Sequence, residues 1–280
     1  RAPKDWDIAT DASPQIVQHL FDRTVAIGVQ FGIVTVVLED GTYEVARFRR
    51  DGPYLDGRRP AHVEFVDAVA DARRRDFTIN GMFYDPTTDE VIDHVDGRQD
   101  IDAGLIRAIG TAEERFAEDY LRMLRAVRFA ARLQFKIEGD TFVAIQRGAE
   151  RILQTSWERI RDELTLILTE GKAAAGMQLL LDAGLLHHIL PEVEVMDGVP
   201  QPEEYHPEGD VWTHVKMLLD DLGDASPTLA WSALLHDIGK PKTMRISDRI
   251  RFNGHDVAGA EMAEAVCRRL RMSNRDVDRI

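Results

Sequence analysis

The stretch KDWDIATDAS sets two carboxylates, Asp5 and Asp7, on either side of Trp6. In a strand, residues two apart share a face, so this pair would present four oxygens to one cation while Trp6 turns the other way. Hard cations such as magnesium favour oxygen ligands of this kind and keep their other positions for water or phosphate. A third acid, Glu44, falls in YEVARFR, a second strand-like run. Three carboxylates on neighbouring strands suit two-metal, in-line phosphoryl transfer. One ion lowers the pKa of an attacking hydroxyl and the other neutralises the leaving pyrophosphate. Taken alone, an acidic pair is more often just a solvent-facing edge; the combination with Glu44 carries the reading.

A second group of residues could handle a nucleotide. In EDYLRMLRAVRFAARL, Arg122, Arg125 and Arg128 recur at spacings of three, with Asp119 three before Arg122, which predicts all four on one side of one helix. Such charges usually make a solvated face with local ion pairs. Here three arginines with a single carboxylate on the stripe would repel one another unless an anion were present, and phosphates would relieve that. Asp119 and Arg122 also form a specific pair, because a carboxylate only accepts and a guanidinium only donates. Together they match a base edge with an exocyclic amino donor beside a ring-nitrogen acceptor, the edge that cytosine and adenine share. Uracil and guanine present the reverse order and would leave charged groups unpaired. A protein could thus choose C and A without a template.

The elements that must carry these residues are α+β. Residues 1–95 read as mixed: FGIVTVVLED and GTYEVARFRR are β-branched and aromatic runs joined by Asp40-Gly41, a hairpin signal, and FYDPTTDEVIDHVDG reads as a shorter hairpin turning at PTTD. After Asp96-Gly97 the periodicity becomes helical, in AEERFAEDYLRMLRAVRFAARL, TFVAIQRGAERIL, WERIRDELTLILTEG and AAAGMQLLLDAGLL, with Gly171 and Gly184 as stops. The Pro- and acid-rich LPEVEVMDGVPQPEEYHPEGD separates these helices from a last helical unit beginning near Val211. The expected domains are 1–95, 96–200 and 201–280.

With 280 residues, 44% hydrophobic and 30% charged, the chain is ordinary for globular domains. Its one cysteine, Cys267, can neither close an internal disulfide nor complete a thiolate zinc cluster, which suggests a reducing compartment. No apolar run approaches the roughly 18 residues of a membrane span, and no signal-type segment opens the sequence, so the expectation is a cytoplasmic protein with no membrane partner. The net charge of −14 argues against a nucleic-acid partner only weakly, because arginines cluster in RFRRDG, DGRRP, ARRRDF and the α-helical stripe.

At this point the chain resembles the bacterial (class II) tRNA nucleotidyltransferases, the CCA-adding enzymes, and their poly(A) polymerase relatives. The matching segments are PKDWDIATDASP, YEVARFRRDGPYLDGRRP, RRRDFTINGMFYDP, DHVDGRQDIDAGLIRAIG, RFAEDYLRMLRAVRFAARL and ERIRDELTLIL, in the family's order, across about residues 1–170. The resemblance implies a polymerase-β-like nucleotidyltransferase head, a helical neck and body, and attack of an RNA 3′ hydroxyl on the α-phosphate of CTP or ATP. It implies that Asp5 and Asp7 hold two magnesium ions with Glu44 as third acid, and that Arg75, Asp76 and Asn80 contact ribose and phosphates. Asp119 and Arg122 would read the base, Arg125 and Arg128 the triphosphate, and Asp96 to Asp100 would be a flexible joint. Two departures stand out. The family's Gly-Gly triphosphate loop belongs upstream of PKDWDIAT, so the chain as it stands is expected to be poorly active; and Gly81 replaces a common alanine, with little expected consequence.

DVWTHVKMLLDD, ALLHDIGKP and FNGHDVAGAEMAEAV resemble the HD superfamily of metal-dependent phosphohydrolases. That resemblance implies a divalent transition metal on His214, His236, Asp237 and His255, in an all-α domain. The superfamily usually adds an aspartate from a later helix, and none is assignable before Ile280. His187-His188 lacks such context and is read as structural. The leading expectation is template-independent addition of C and A to tRNA 3′ ends. CC-adding, A-adding and poly(A)-adding relatives are the near alternatives. The distant ones are an HD phosphohydrolase with an RNA-gripping head, and an RNA chaperone indifferent to magnesium.

Overall fold

The computed structural model describes residues 6–26, 28–52, 62–223 and 225–280. The chain divides into two compact units, Arg1–Ile101 with Ala108–Thr111, and Asp102–Arg107 with Ala112–Ile280. Asp5 lies outside the described residues.

In the first unit, β1 (Asp7–Thr10), β2 (Thr24–Val25), β3 (Ile33–Val37) and β4 (Thr42–Arg47) form a sheet in the order β1-β4-β3-β2. The hairpin expected at Asp40-Gly41 is present as the antiparallel pair β3–β4, while β1 joins the far side of β4 in parallel. Alternation decides which face is buried: Val34, Val36 and Val45 pack with Val17 of α1 (Pro14–Leu20) into a small core. That leaves Glu44, one residue from Val45, on the opposite, exposed face. Helix α1 begins at a Ser13 side-chain cap with Pro14 at its first position, and α2 (Ala68–Arg73) at an Asp67 cap. Short pairs follow, β5 (Arg49–Asp51) with β6 (Val63–Phe65) and β7 (Met82–Asp85) with β8 (Glu90–Asp93), the latter turning at the expected PTTD.

The segment expected to be a joint is tied down at both ends. The Asp93 carboxylate accepts the amides of Val95, Gly97 and Arg98 at 2.9–3.1 Å, starting α3 (Gly97–Ala103), and Asp100 accepts the Thr78 hydroxyl at 2.7 Å. A Cβ at Gly97 would overlap the Thr78 carbonyl, so the close approach requires glycine there. Gly81 is also tight, with Val95 Cγ2 at 2.6 Å from where an alanine methyl would lie. Glycine here is matched to its neighbours, contrary to the expectation that the exchange matters little.

The second unit is mostly helix. A short parallel pair, β9 (Leu105–Ile106) with β10 (Lys136–Ile137), and a short hairpin, β11 (Arg245–Ile246) with β12 (Ile250–Arg251), depart from the all-helix expectation. The helices are α4 (Ala112–Glu118), α5 (Leu121–Leu133), α6 (Gly139–Gly148), α7 (Trp157–Thr169), α8 (Ala173–Asp182), α9 (Leu185–Ile189), α10 (Pro191–Glu194), α11 (Val211–Asp221), α12 (Pro227–Leu235), α13 (Lys240–Thr243), α14 (His255–Arg269) and α15 (Asn274–Val277). Gly184, at φ 72°, separates α8 from α9 as its position predicts.

Helix α5 packs on α7 and α8, and Met123, Leu124, Leu164, Ile167 and Met177 of these three helices are all buried. Two tryptophans lock the later helices to them. Trp212 of α11 donates to Gln178 Oε1 of α8 at 3.1 Å, and Trp231 of α12 to Thr165 Oγ1 of α7 at 3.0 Å, so each buried indole satisfies its N–H. The Pro- and acid-rich 190–210 stretch does not simply connect: Leu190, Val193, Met196, Val199 and Gln201 are buried in it. Asp210 pins its end by accepting Gly198 N at 2.7 Å while capping α11 through Thr213 N at 2.8 Å.

Cys267 of α14 is 1% exposed, and burial, helped by Asp276, pushes its thiol up to about 11. Iodoacetamide at pH 8 should therefore leave the native thiol unlabelled by mass spectrometry and label it fully in denaturant. Rapid labelling of the folded protein would contradict this burial.

Candidate functional site

Asp7 and Glu44 are Cα partners across the parallel β1–β4 pair. Partners in register project to the same face. Both are exposed, and among the described residues neither carboxylate has an ion-pair or hydrogen-bond partner. Acceptor-only oxygens left unpaired side by side fit a hard divalent cation. Trp6, flanking Asp7, is 51% exposed.

Arg75, Asp76 and Asn80 are brought together in the same unit. Asp76 accepts Asn80 Nδ2 at 3.0 Å and Phe77 N at 2.9 Å, and Arg75 donates to the Asn80 carbonyl at 3.1 Å while its guanidinium lies over Phe83. The residue that organises them was not singled out from sequence. Asp71, 2% exposed, accepts Arg75 Nη2 at 3.2 Å, Arg74 Nη2 at 2.8 Å and Arg49 N at 3.0 Å. Asp71 lies on α2 and Arg75 just past its end, and their spacing of four was the available signal.

Asp119 corrects the single-helix expectation. It lies between α4 and α5, outside both helices. Its Oδ1 takes Leu121 N at 3.1 Å, and its two oxygens take both prongs of Arg159 at 3.1 and 2.7 Å. A short carboxylate that bonds the backbone two residues on competes with helix continuation. Arg122 donates to Glu118 and to the Arg115 carbonyl.

The charge argument for the stripe also changes. Glu163 of α7, 7% exposed, accepts Arg128 Nε at 2.7 Å and lies 3.8 Å from Arg125. Glu170 lies 3.7 Å from Arg128. The protein thus supplies carboxylates for Arg125 and Arg128 from a neighbouring helix, and repulsion relieved only by phosphate is not their condition. Spacing along one helix could not show this.

The second site in this unit gathers His214 of α11, His236 and Asp237 after α12, and His255 at the start of α14. Three imidazole Nε2 atoms converge on one carboxylate: His236 at 3.1 Å and His214 at 4.0 Å from Asp237 Oδ2, and His255 at 3.9 Å from Oδ1. The Nδ1 atoms of His236 and His255 face the carbonyls of Ala233 and Phe252, both at 2.8 Å. This leaves each Nε2 available to a metal, the arrangement common behind histidine ligands. Gly239 permits the close approach: a Cβ there would overlap the His255 carbonyl and the Gly259 amide.

Burial works to raise the Asp237 carboxyl, but His236 and Lys240 outweigh it and hold it down to about 2. Burial opposes the shift at His236 too, yet the Asp237 contact raises it. Lys240, 6% exposed, sits 2.7 Å from Asp237 Oδ2 and donates to Gln201 at 2.6 Å, a buried internal cation. Nitrogen donors with one ionised carboxylate fit a divalent transition metal. His206 and Glu208 lie beside this cluster and were missed, since they sit in the stretch read as a spacer. His206, Glu208 and His214 have ligand atoms within 4.8 Å of one another. His187 pairs with Glu194 at 2.9 Å, well outside this group in sequence.

Three family models match the chain in succession: the poly A polymerase head domain over residues 1–107, the probable RNA and SrmB-binding site of polymerase A over 134–196, and the HD domain over 206–280. Over 186 residues the chain is 44% identical to a CCA-adding enzyme of Lactobacillus johnsonii, covering 66% of this chain and 46% of that protein. Over 238 residues it is 41% identical to a CCA-adding enzyme of Leuconostoc mesenteroides, covering 82% and 54%. The solved Bacillus stearothermophilus CCA-adding enzyme in complex with CTP superposes with a TM-score of 0.71 at 29% identity, covering 99% of this chain and 60% of that one. The chain spans about half the length of the curated relatives it matches. Head, helical body and HD module together define the nucleotidyltransferase class of fold. The chain belongs to the family of bacterial CCA-adding enzymes and their poly(A) polymerase relatives.

Proposed function

We propose that the protein containing this chain is a template-independent RNA nucleotidyltransferase that adds C and A from CTP and ATP to tRNA 3′ ends in the cytoplasm. The observation that carries the reading is the in-register Asp7–Glu44 pair, unpartnered among the described residues, on a head of this family. Residues 1–95 act as the catalytic head, 96–200 as neck and body, and 201–280 as the HD domain.

Asp7 and Glu44, with Asp5 beyond the described residues, would hold two magnesium ions, which supply Lewis-acid activation of the 3′ hydroxyl and charge neutralisation at the leaving pyrophosphate. Arg75, fixed by Asp71, and the Asp76–Asn80 pair offer donors and acceptors to the nucleotide's phosphates and ribose. Asp119 and Arg122 select the C or A edge. To do so each exchanges an internal partner, Arg159 or Glu118, for the base. Arg125 and Arg128 favour the triphosphate electrostatically. The tRNA is held by shape and phosphate contacts, so binding weakens as salt rises.

The test is incorporation of labelled CTP and ATP by the full-length protein onto tRNAs ending before CCA, after C and after CC. Stepwise growth to CCA is expected. Extension by C only, by A only or by long A tracts reassigns the protein to the corresponding relative, and no extension by a folded protein overturns the transferase. The convergence of His214, His236, His255 and Asp237 supports a second reading for the HD domain, a metal-dependent phosphohydrolase alongside the transferase. Phosphate-ester hydrolysis with a panel of divalent ions tests that activity.

A further inference from the structure

The HD cluster has two outer residues without an assigned role, His206 and Glu208, and their geometry is specific. Glu208 Oε1 lies 2.7 Å from His214 Nδ1 and 3.0 Å from His206 Nδ1. An ionised carboxylate has no proton to give, so both contacts require the proton on Nδ1 of each ring. His214 then has a bare Nε2, and that atom is the one facing Asp237 Oδ2 at 4.0 Å. His236 and His255 reach the same state by donating Nδ1–H to backbone carbonyls. His214 differs because its partner is a side chain from the 190–210 stretch.

The rings confirm that this is one assembly. His206 stacks edge-on against His214 with centroids 4.9 Å apart, and His214 against His236 at 5.4 Å. Both His206 and Glu208 are partly buried, and the stretch that carries them is anchored on one side by buried Gln201, hydrogen-bonded to Lys240, and on the other by Asp210 at the cap of α11. The loop is therefore held at two points, at Lys240 of α13 and at the cap of α11, with Glu208 between them.

We infer that Glu208 is a positioning residue of the HD centre: it fixes His214 as the Nδ1–H tautomer with Nε2 presented to a divalent transition metal, and it seats His206 beside it as the outer wall of that site. The inference rests on the metal-centre reading for its consequence, though not for the tautomer itself. A carboxylate behind a ligating imidazole also raises that ligand's basicity, and losing such a partner typically costs about 10–100-fold in metal affinity.

The experiment has two independent readouts on the 280-residue chain. The first is the side-chain nitrogen NMR spectrum of the metal-free protein at pH 8, with the His214 signals assigned by comparison with His214→Gln. The expected result is a protonated Nδ1 and an unprotonated Nε2 at His214 in the wild-type chain. That preference should disappear in Glu208→Ala and persist in Glu208→Gln, whose amide oxygen still accepts. The second readout is calorimetric titration with Zn2+, where Glu208→Ala should bind 10–100-fold more weakly than wild type and Glu208→Gln should recover part of the loss. A His214 proton on Nε2 in the wild-type chain, or a tautomer unchanged in Glu208→Ala, overturns the inference. Absence of Zn2+ binding by the wild-type chain overturns the metal-centre reading, and the tautomer measurement then decides the role of Glu208 separately. Glu208→Gln keeps the volume and an acceptor, so it stays informative if Glu208→Ala does not fold.

Discussion

Replacing Asp7 by alanine in the full-length protein should reduce incorporation of both C and A by on the order of 10³-fold or more, the scale at which loss of one charge-stabilising group is felt in phosphoryl transfer. Glu44→Ala should do the same, because the two residues are partners across β1 and β4. Neither change should cost much stability, since both side chains are exposed and have no pairing partner among the described residues to lose. The distinguishing pattern is a collapse in turnover for CTP and ATP alike with an unchanged thermal midpoint. A variant that stops adding one nucleotide while adding the other would point to base selection and remove Asp7 or Glu44 from the metal site. Full activity in either variant would return the acidic pair to an ordinary solvent-facing edge and leave the transferase without its reaction centre.

The largest expected effect on stability lies elsewhere, at Glu163. Its carboxylate is buried against the Arg128 guanidinium at 2.7 Å, and each residue is only 7% exposed. Glu163→Ala strands a buried positive charge, which costs about 3 kcal/mol or more, seen as a thermal midpoint lower by about 6–12 °C in a chain of this size. Glu170, at 3.7 Å from Arg128, softens the loss without replacing the contact. An exposed pair gives the control: Arg147 and Glu113 are 73% and 54% exposed, and Glu113→Ala should change stability by no more than about 0.5 kcal/mol. Replacing both buried partners, Arg128→Met with Glu163→Leu, should recover most of the loss, because it removes the desolvated charges together. Equal effects of Glu163→Ala and Glu113→Ala would mean that the buried pair is solvated in solution.

The β3–β4 hairpin was legible because Asp40-Gly41 sits between two β-branched runs, a signal confined to a dozen residues. The helices were legible for the same reason, their apolar periodicity being local. Asp119 was misplaced because a helical pattern runs through it without interruption, whereas its carboxylate turns to the Leu121 amide and is held there by Arg159, forty residues away. The Arg125–Arg128 stripe looked uncompensated because Glu163 is on another helix. Each failure is a long-range partner that one-dimensional spacing does not contain.

By itself the amino-acid sequence determined the order of the modules, and it singled out the acidic pair with Glu44 from residue types in strand-like runs and the histidines and aspartate of the HD cluster from an ordered series of segments resembling that superfamily. Tertiary structure alone decided three things. It put Asp7 in register with Glu44, through a parallel pairing that no turn signals. It turned the 190–210 stretch from a spacer into a packed wall that delivers Gln201, His206 and Glu208 to the HD cluster. It also matched buried arginines to distant carboxylates. In each case the decisive neighbour is distant in sequence: strand pairing brings Glu44 beside Asp7, while a buried charge or an imidazole held in one tautomer requires a partner at hydrogen-bond distance that the chain reaches only by folding back on itself.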